Sequence, residues 1–281
     1  MEIGDIAATL VRDFPLTVLA GMLCGGMCAA YGVRLYETKT ILLGITLSQS
    51  AILGIAASYL SFMPPSSLWS ALLVTVLIAL SATPFVRSKD ESRHERIVLI
   101  FVLVLAARIL ILSRSSADAT FEVETSLKGY VWIVTSYQFF FVVSVALLTL
   151  FEFIIQRGRG VVEEDKRSPF RKLLFDLLFM VGVGIAIGVA AVVAGDIFVL
   201  GFIVLPYAIA RELRLSSHRR FLVAVAVGIT VPLVGLMTAF RYDTPPGATP
   251  VVVLGLIFVS ILVAGSAKKL RWNLAGGKNE P

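Results

Sequence analysis

The sequence predicts an all-α bundle of eight to nine membrane segments in a single domain, and three observations carry that prediction. Of 281 residues, 57% are hydrophobic and 16% charged, with a mean hydropathy of +0.89, a balance foreign to a soluble domain of this length. Runs near the roughly 20 apolar residues that cross a bilayer recur along nearly the whole chain. The basic residues gather in short clusters between those runs, as the positive-inside rule requires. Nine apolar segments result, at 15–33, 40–62, 67–86, 97–113, 131–155, 173–195, 198–210, 221–240 and 248–267. The bundle is expected over 14–267, with 268–281 as a cytoplasmic tail.

The start, MEIGDIAATLVRDF, has no basic n-region and does not read as a cleavable signal. The first segment contains GMLCGGMCAAYG, where Gly21 and Gly25 form a small-xxx-small pair for close helix approach. Cys24 and Cys28 lie one turn apart on a shared face. Soft sulfur suits Cu(I) or Zn(II), but a glycine-rich helix also needs small apolar neighbours, and packing is the favoured reading. In the second segment, LGITLSQSAILG places Thr46, Gln49 and Ser50 at i, i+3 and i+4 as one polar strip, with Ser48 turned away. Polar groups in lipid need partners, so the strip faces another helix or a water-filled path.

Arg108 interrupts the fourth segment about 8 Å from its outer end, within snorkelling reach of the interface. Glu152 and Asp176 fall near cytoplasmic ends and Asp196 near an outer end, where each is expected to be hydrated, leaving no carboxylate at the midplane. Gly184 and Gly188 repeat the small-xxx-small spacing in the sixth segment. The seventh, Phe198 to Ala210, spans only about 20 Å, short of the roughly 30 Å hydrocarbon core. Asp196 just before it is expected to cap its positive end.

Alternating the sides puts 20 of the 25 Lys and Arg on one face of the membrane, leaving Arg12, Arg108, Arg114, Lys128 and Arg241 elsewhere. That face is cytoplasmic and the amino terminus lies outside. The net charge of +6 is therefore topological and does not call for nucleic acid. No HExxH, GxSxG or Walker A pattern occurs, and both histidines, His94 and His218, sit in basic loops. The chain reads as no enzyme and as carrying no cofactor of its own.

Three blocks then take on meaning together: LSQSAILGIAASYL, LKGYVWIVTS, and GDIFVLGFIVLPYAIARELRLSSHRR leading to DTPPGATPVVVLG. In order and spacing they resemble the permease of metal-type ABC importers, the zinc, manganese and iron class, along nearly the whole chain. Ser48, Gly54, Leu127, Gly129, Pro206, Ala208, Ala210, Arg211, Pro246, Gly247, Ala248 and Val252 match or nearly match. The resemblance implies a homodimeric multi-pass permease in a prokaryotic-type inner (plasma) membrane. It also implies a cytoplasmic ATPase partner that binds the ATP and an extracytoplasmic substrate-binding protein. It places ATPase coupling in the mixed-charge stretch that holds Arg157, Arg159, Asp165, Lys166 and Arg167, and a substrate pathway at Gln49, Thr46 and Ser50, with Asp196 beside it.

One departure matters. Members that move bare divalent ions carry His where this chain has Gln49, and commonly Asp where it has Ile45. An imidazole and a carboxylate one turn apart can hold an ion in transit; an amide and an alkyl group supply no charge. The ion is then bound elsewhere, or passes as a complex, or the substrate differs. Two rivals stand beside the importer reading: a secondary transporter driven by an ion gradient, and a non-transporting scaffold.

Overall fold

The computed structural model describes residue 10 and residues 12–60, 66–87, 92–115, 120–121, 123–125, 134–157 and 169–274. Nine helices of at least 17 residues follow one another among these: α1 (Pro15–Glu37), α2 (Ile41–Ala57), α3 (Ser67–Arg87), α4 (Arg93–Leu112), α5 (Ser136–Arg157), α6 (Pro169–Ala194), α7 (Asp196–Glu212), α8 (Ser217–Tyr242) and α9 (Ala248–Leu274). No strand occurs among the described residues. Six of the helices, α1, α3, α5, α6, α8 and α9, are long and apolar enough to cross a membrane, and the protein is a multi-pass membrane protein.

Each helix answers to one apolar segment, but most run past it. α4 starts four residues early at Arg93, and α9 continues seven residues beyond the expected boundary to Leu274. Hydropathy marks where hydrocarbon ends, whereas a helix ends only where its backbone bonds are broken or capped. The opposite happens in α2, which stops at Ala57 because Ser58 closes it, its amide reaching both Gly54 and Ile55 carbonyls. The seventh helix is longer than its apolar core, 17 residues instead of 13, yet still only about 25 Å.

α2 and α7 are thus the two shortest of the nine, and both are sunk in the bundle. Fourteen of the 17 residues of α2 are buried. α7 packs against α1, α2, α6, α8 and α9, while α2 packs against α1, α3, α4, α6 and α7. Glycines permit this density. A Cβ on Gly32 would run into the carbonyl of Ile203 on α7, and one on Gly25 into the carbonyl of Gly228 on α8. Gly184 and Gly188 let α6 lie on α3, where added carbons would stand 3.2 Å from Ala79 Cβ and 3.2 Å from Leu72 Cδ2. The small-xxx-small pairs mark helix contacts, as their spacing predicts.

The reversal between α6 and α7 consists of one residue. Gly195 sits at φ 95° and ψ 159°, a region that is essentially glycine-only. Its N–H still bonds the Ala191 carbonyl while its own carbonyl accepts from Val199. The chain therefore turns without a loop and delivers Asp196 directly into the bundle.

Candidate functional site

Asp196 is the first residue of α7 and is 3% exposed. Its carboxylate is drawn sideways to the middle of α2, where the Ser48 hydroxyl donates to Oδ1 and Gln49 Nε2 donates to Oδ2 at 2.7 Å. Gln49 Oε1 in turn accepts from Arg108 Nη1 of α4 at 2.7 Å. Four side chains from three helices thus form one chain: guanidinium, amide, carboxylate, hydroxyl. The order fixes the Gln49 amide, since only its nitrogen can serve the carboxylate and only its oxygen the guanidinium. Burial makes each bond consequential, because a buried polar group left without a partner bears its full desolvation cost.

Several expectations change here. Asp196 is neither hydrated nor a cap: the N-cap position is Gly195, no side chain caps the helix, and the carboxylate goes to α2. Its negative charge nevertheless stands in the first turn, where the helix dipole favours it. Arg108 does not snorkel outward; its guanidinium turns inward because the Gln49 oxygen offers an acceptor. Ser48 is not turned away. Neighbouring positions on a helix lie only about 100° apart, and a carboxylate between them receives both Ser48 and Gln49.

Thr46 and Ser50 lie on the same helix, fully buried, but bond their own backbone: Thr46 Oγ1 to the Leu42 carbonyl at 2.8 Å and Ser50 Oγ to the Thr46 carbonyl at 2.7 Å. In this conformation the polar strip divides into two self-satisfied hydroxyls and one amide that reaches across. Cys24 and Cys28 are free and buried in the core cluster. Among the described residues no three His, Cys, Asp or Glu side chains gather as a metal site would require. Of the coupling residues, Arg157 ends α5, and Arg159, Asp165, Lys166 and Arg167 lie outside the described residues.

A second carboxylate is also held by a partner from another helix. Tyr31 Oη donates to Glu152 Oε2 at 2.7 Å, joining α1 to α5, and the Tyr31 ring meets Phe153 edge-on at 5.5 Å. Gly182 of α6 makes the room, because a Cβ there would collide with that carboxylate oxygen. Glu152 is therefore partnered by Tyr31 while remaining partly exposed near the end of α5. Beside the Asp196 site a small cleft opens at the same end of the bundle, lined by Thr17 and Gly21 of α1, Phe198 of α7, Leu236 of α8, and Pro246 and Gly247 ahead of α9.

Sequence reasoning missed Ser48, Arg108 and Gly195 as parts of this site. Its available signals were a glycine between two apolar runs directly before an aspartate, and an arginine inside an apolar run, which is a functional hypothesis by default.

Comparison with known proteins places this geometry. Among curated proteins, an uncharacterized membrane protein in the ycf23-apcF intergenic region of Cyanophora paradoxa is 23% identical over 256 residues, covering 88% of this chain and 82% of that protein. Among solved structures, PsaBC from Streptococcus pneumoniae in complex with Fab is similar with a TM-score of 0.73 at 18% identity, over 92% of this chain and 95% of that one. An ABC transporter assigned to the metal-chelate type, in an inward-facing conformation, is similar with a TM-score of 0.69 at 14% identity, over 92% and 88%. At these identities the structures speak for a shared fold. The model of the ABC 3 transport family matches residues 14–265, nearly the whole bundle, so the chain belongs to that family and is the membrane permease subunit of an ABC transporter, with ATP hydrolysed on a separate partner.

Proposed function

We propose that the protein is the permease of an ATP-driven importer for a divalent transition metal ion or a metal complex, working as a homodimer with a cytoplasmic ATPase and an extracytoplasmic binding protein. The observation that carries the pathway is the polar seam between α2 and α7, the two shortest helices, at the end of α7 where the chain reverses on Gly195. Short or broken helices meeting in a bundle are where transporters build their gates. The metal class is supported by the order of the three sequence blocks and by the likeness to a transporter of the metal-chelate type.

In this reading Gln49 and Asp196 line and close the path, and Thr46 and Ser50 reach a solute by rotating away from their own backbone. The cleft bounded by Thr17, Phe198 and Gly247 forms the approach to the seam. ATP binding and hydrolysis in the partner move the helix ends on the basic face, and the seam opens in response. The segment from Arg157 to Lys172 is the coupling surface on that face. All nine helices belong to the bundle, with α2 and α7 reaching the bilayer faces only through their neighbours, and the basic ends face the cytoplasm of a prokaryotic-type cell.

The importer reading is tested in vesicles reconstituted with this chain, its ATPase and its binding protein. Metal accumulation is expected only with all three and with ATP. Accumulation against a gradient by this chain alone would establish a secondary transporter instead.

A further inference from the structure

The seam carries a cation of its own. Gln49 stands with its oxygen on Arg108 and its nitrogen on Asp196, so a single amide separates a guanidinium from a carboxylate. Each side-chain oxygen of the seam, on Ser48, Gln49 and Asp196, makes one hydrogen bond: the Asp196 and Gln49 oxygens accept, and the Ser48 hydroxyl donates.

We propose that Arg108 is a built-in counter-cation, relayed through Gln49, that makes the α2–α7 seam reject a bare divalent cation. An ion placed on Asp196 would have to compete with the donors of Ser48 and Gln49, one of which already occupies each carboxylate oxygen. It would also stand within range of a fixed positive charge, and a dication feels twice the repulsion of a monovalent ion. A carboxylate whose charge is already answered has little left to offer a hard cation, which needs several oxygen ligands. A metal therefore passes the seam only inside a shell of ligands that brings its own anionic donors. Such a shell gives Arg108 and the Gln49 amide something to hold, and Asp196 then excludes shells of excess negative charge. This deepens the importer reading and rests on it for the passage of a metal, but the charge arrangement can be tested without transport.

The test is equilibrium binding of Mn(II) to the purified chain in nanodiscs of zwitterionic lipid, followed by the loss of the free-ion resonance spectrum. Wild type and Arg108→Lys, which keeps the charge and loses the fork, are expected to leave the spectrum unchanged. Arg108→Gln combined with Gln49→His removes the cation and supplies an imidazole beside Asp196, and is expected to bind Mn(II) roughly tenfold or more tightly than wild type. Adding Asp196→Asn to that pair should erase the gain. Stoichiometric Mn(II) binding by wild type that Asp196→Asn abolishes would overturn the proposal. So would a gain in Arg108→Lys equal to that of the combined variant, since charge would then not be the cause, and so would no gain in the combined variant. Chromatographic profiles confirm that each variant is folded, and Arg108→Gln alone, with the native Gln49 retained, provides a milder substitution in which a smaller gain of the same sign is expected and no gain counts against the proposal. None of these readings depends on ATP, so failure of the importer reading registers separately.

Discussion

The two ends of α7 treat charge in opposite ways. At the start, Asp196 is buried and each of its oxygens is held by a side chain from α2, with Arg108 of α4 one amide further on. At the finish, Arg211 is half exposed, its guanidinium over the Tyr36 ring at 5.5 Å and donating to the Tyr36 hydroxyl. Tyr36 and Tyr207 lie against each other with ring centroids 4.2 Å apart, and Arg220 covers Tyr207 in the same manner. Water reaches Arg211 at the second end and can replace a partner lost there. It does not reach the first, where a lost partner leaves a buried charge or amide with nothing. One helix thus has a solvated anchor at one end and, at the other, a buried polar junction whose members depend on one another for partners.

The comparison is broken most forcefully by Asp196→Ala. It strands Gln49 and Ser48 in the core, and a loss of about 3 kcal/mol of stability is expected, in the range for leaving two buried polar groups without a partner. Thermal unfolding in mild detergent measures it. A loss no greater than that of an Arg211 variant would show that the two ends are equivalent after all.

Gly195→Ala leaves every polar group in place and attacks only the turn. A Cβ at φ 95° and ψ 159° is strained, at about 1–3 kcal/mol, and relief of that strain shifts the first turn of α7. The same unfolding assay should register the cost. A variant as stable as wild type would mean that the reversal tolerates an L side chain and that Asp196 is not aimed by the glycine.

Arg211→Ala is expected to have the smallest effect, about 0.5 kcal/mol, because an exposed cation over a ring contributes little and solvent screens the rest. Unfolding midpoints in low and high salt sharpen this point: the small loss should shrink further with salt, whereas the loss in Asp196→Ala should not. A salt-insensitive effect at Arg211 would place that corner in a drier setting than its exposure indicates.

Much of the fold was legible in the chain. Apolar run length located all nine helices, and glycine spacing in the first and sixth segments marked two close contacts, because both signals are local and repeat with the helix. The short seventh segment was legible too, and Gln49 and Asp196 could each be singled out, though not the bond between them. What misled was the use of one helix at a time. Counting i, i+3 and i+4 discarded Ser48, and measuring Arg108 from the end of its own helix sent it to the interface, since neither rule contains the neighbour that supplies a partner. Asp196 looked hydrated for the same reason: sequence distance from a segment's end says nothing of depth when the helix it opens begins inside the bundle.

The chain by itself determined that this is a membrane bundle with a basic face, a permease's order of motifs, and an amide where an imidazole would be expected. Only the tertiary structure decided that this amide stands between a guanidinium and a carboxylate. Ser48 and Asp196 are 148 residues apart and Gln49 and Arg108 are 59 apart, and hydrogen bonds of such reach depend on how helices pack, which no periodicity along one helix encodes.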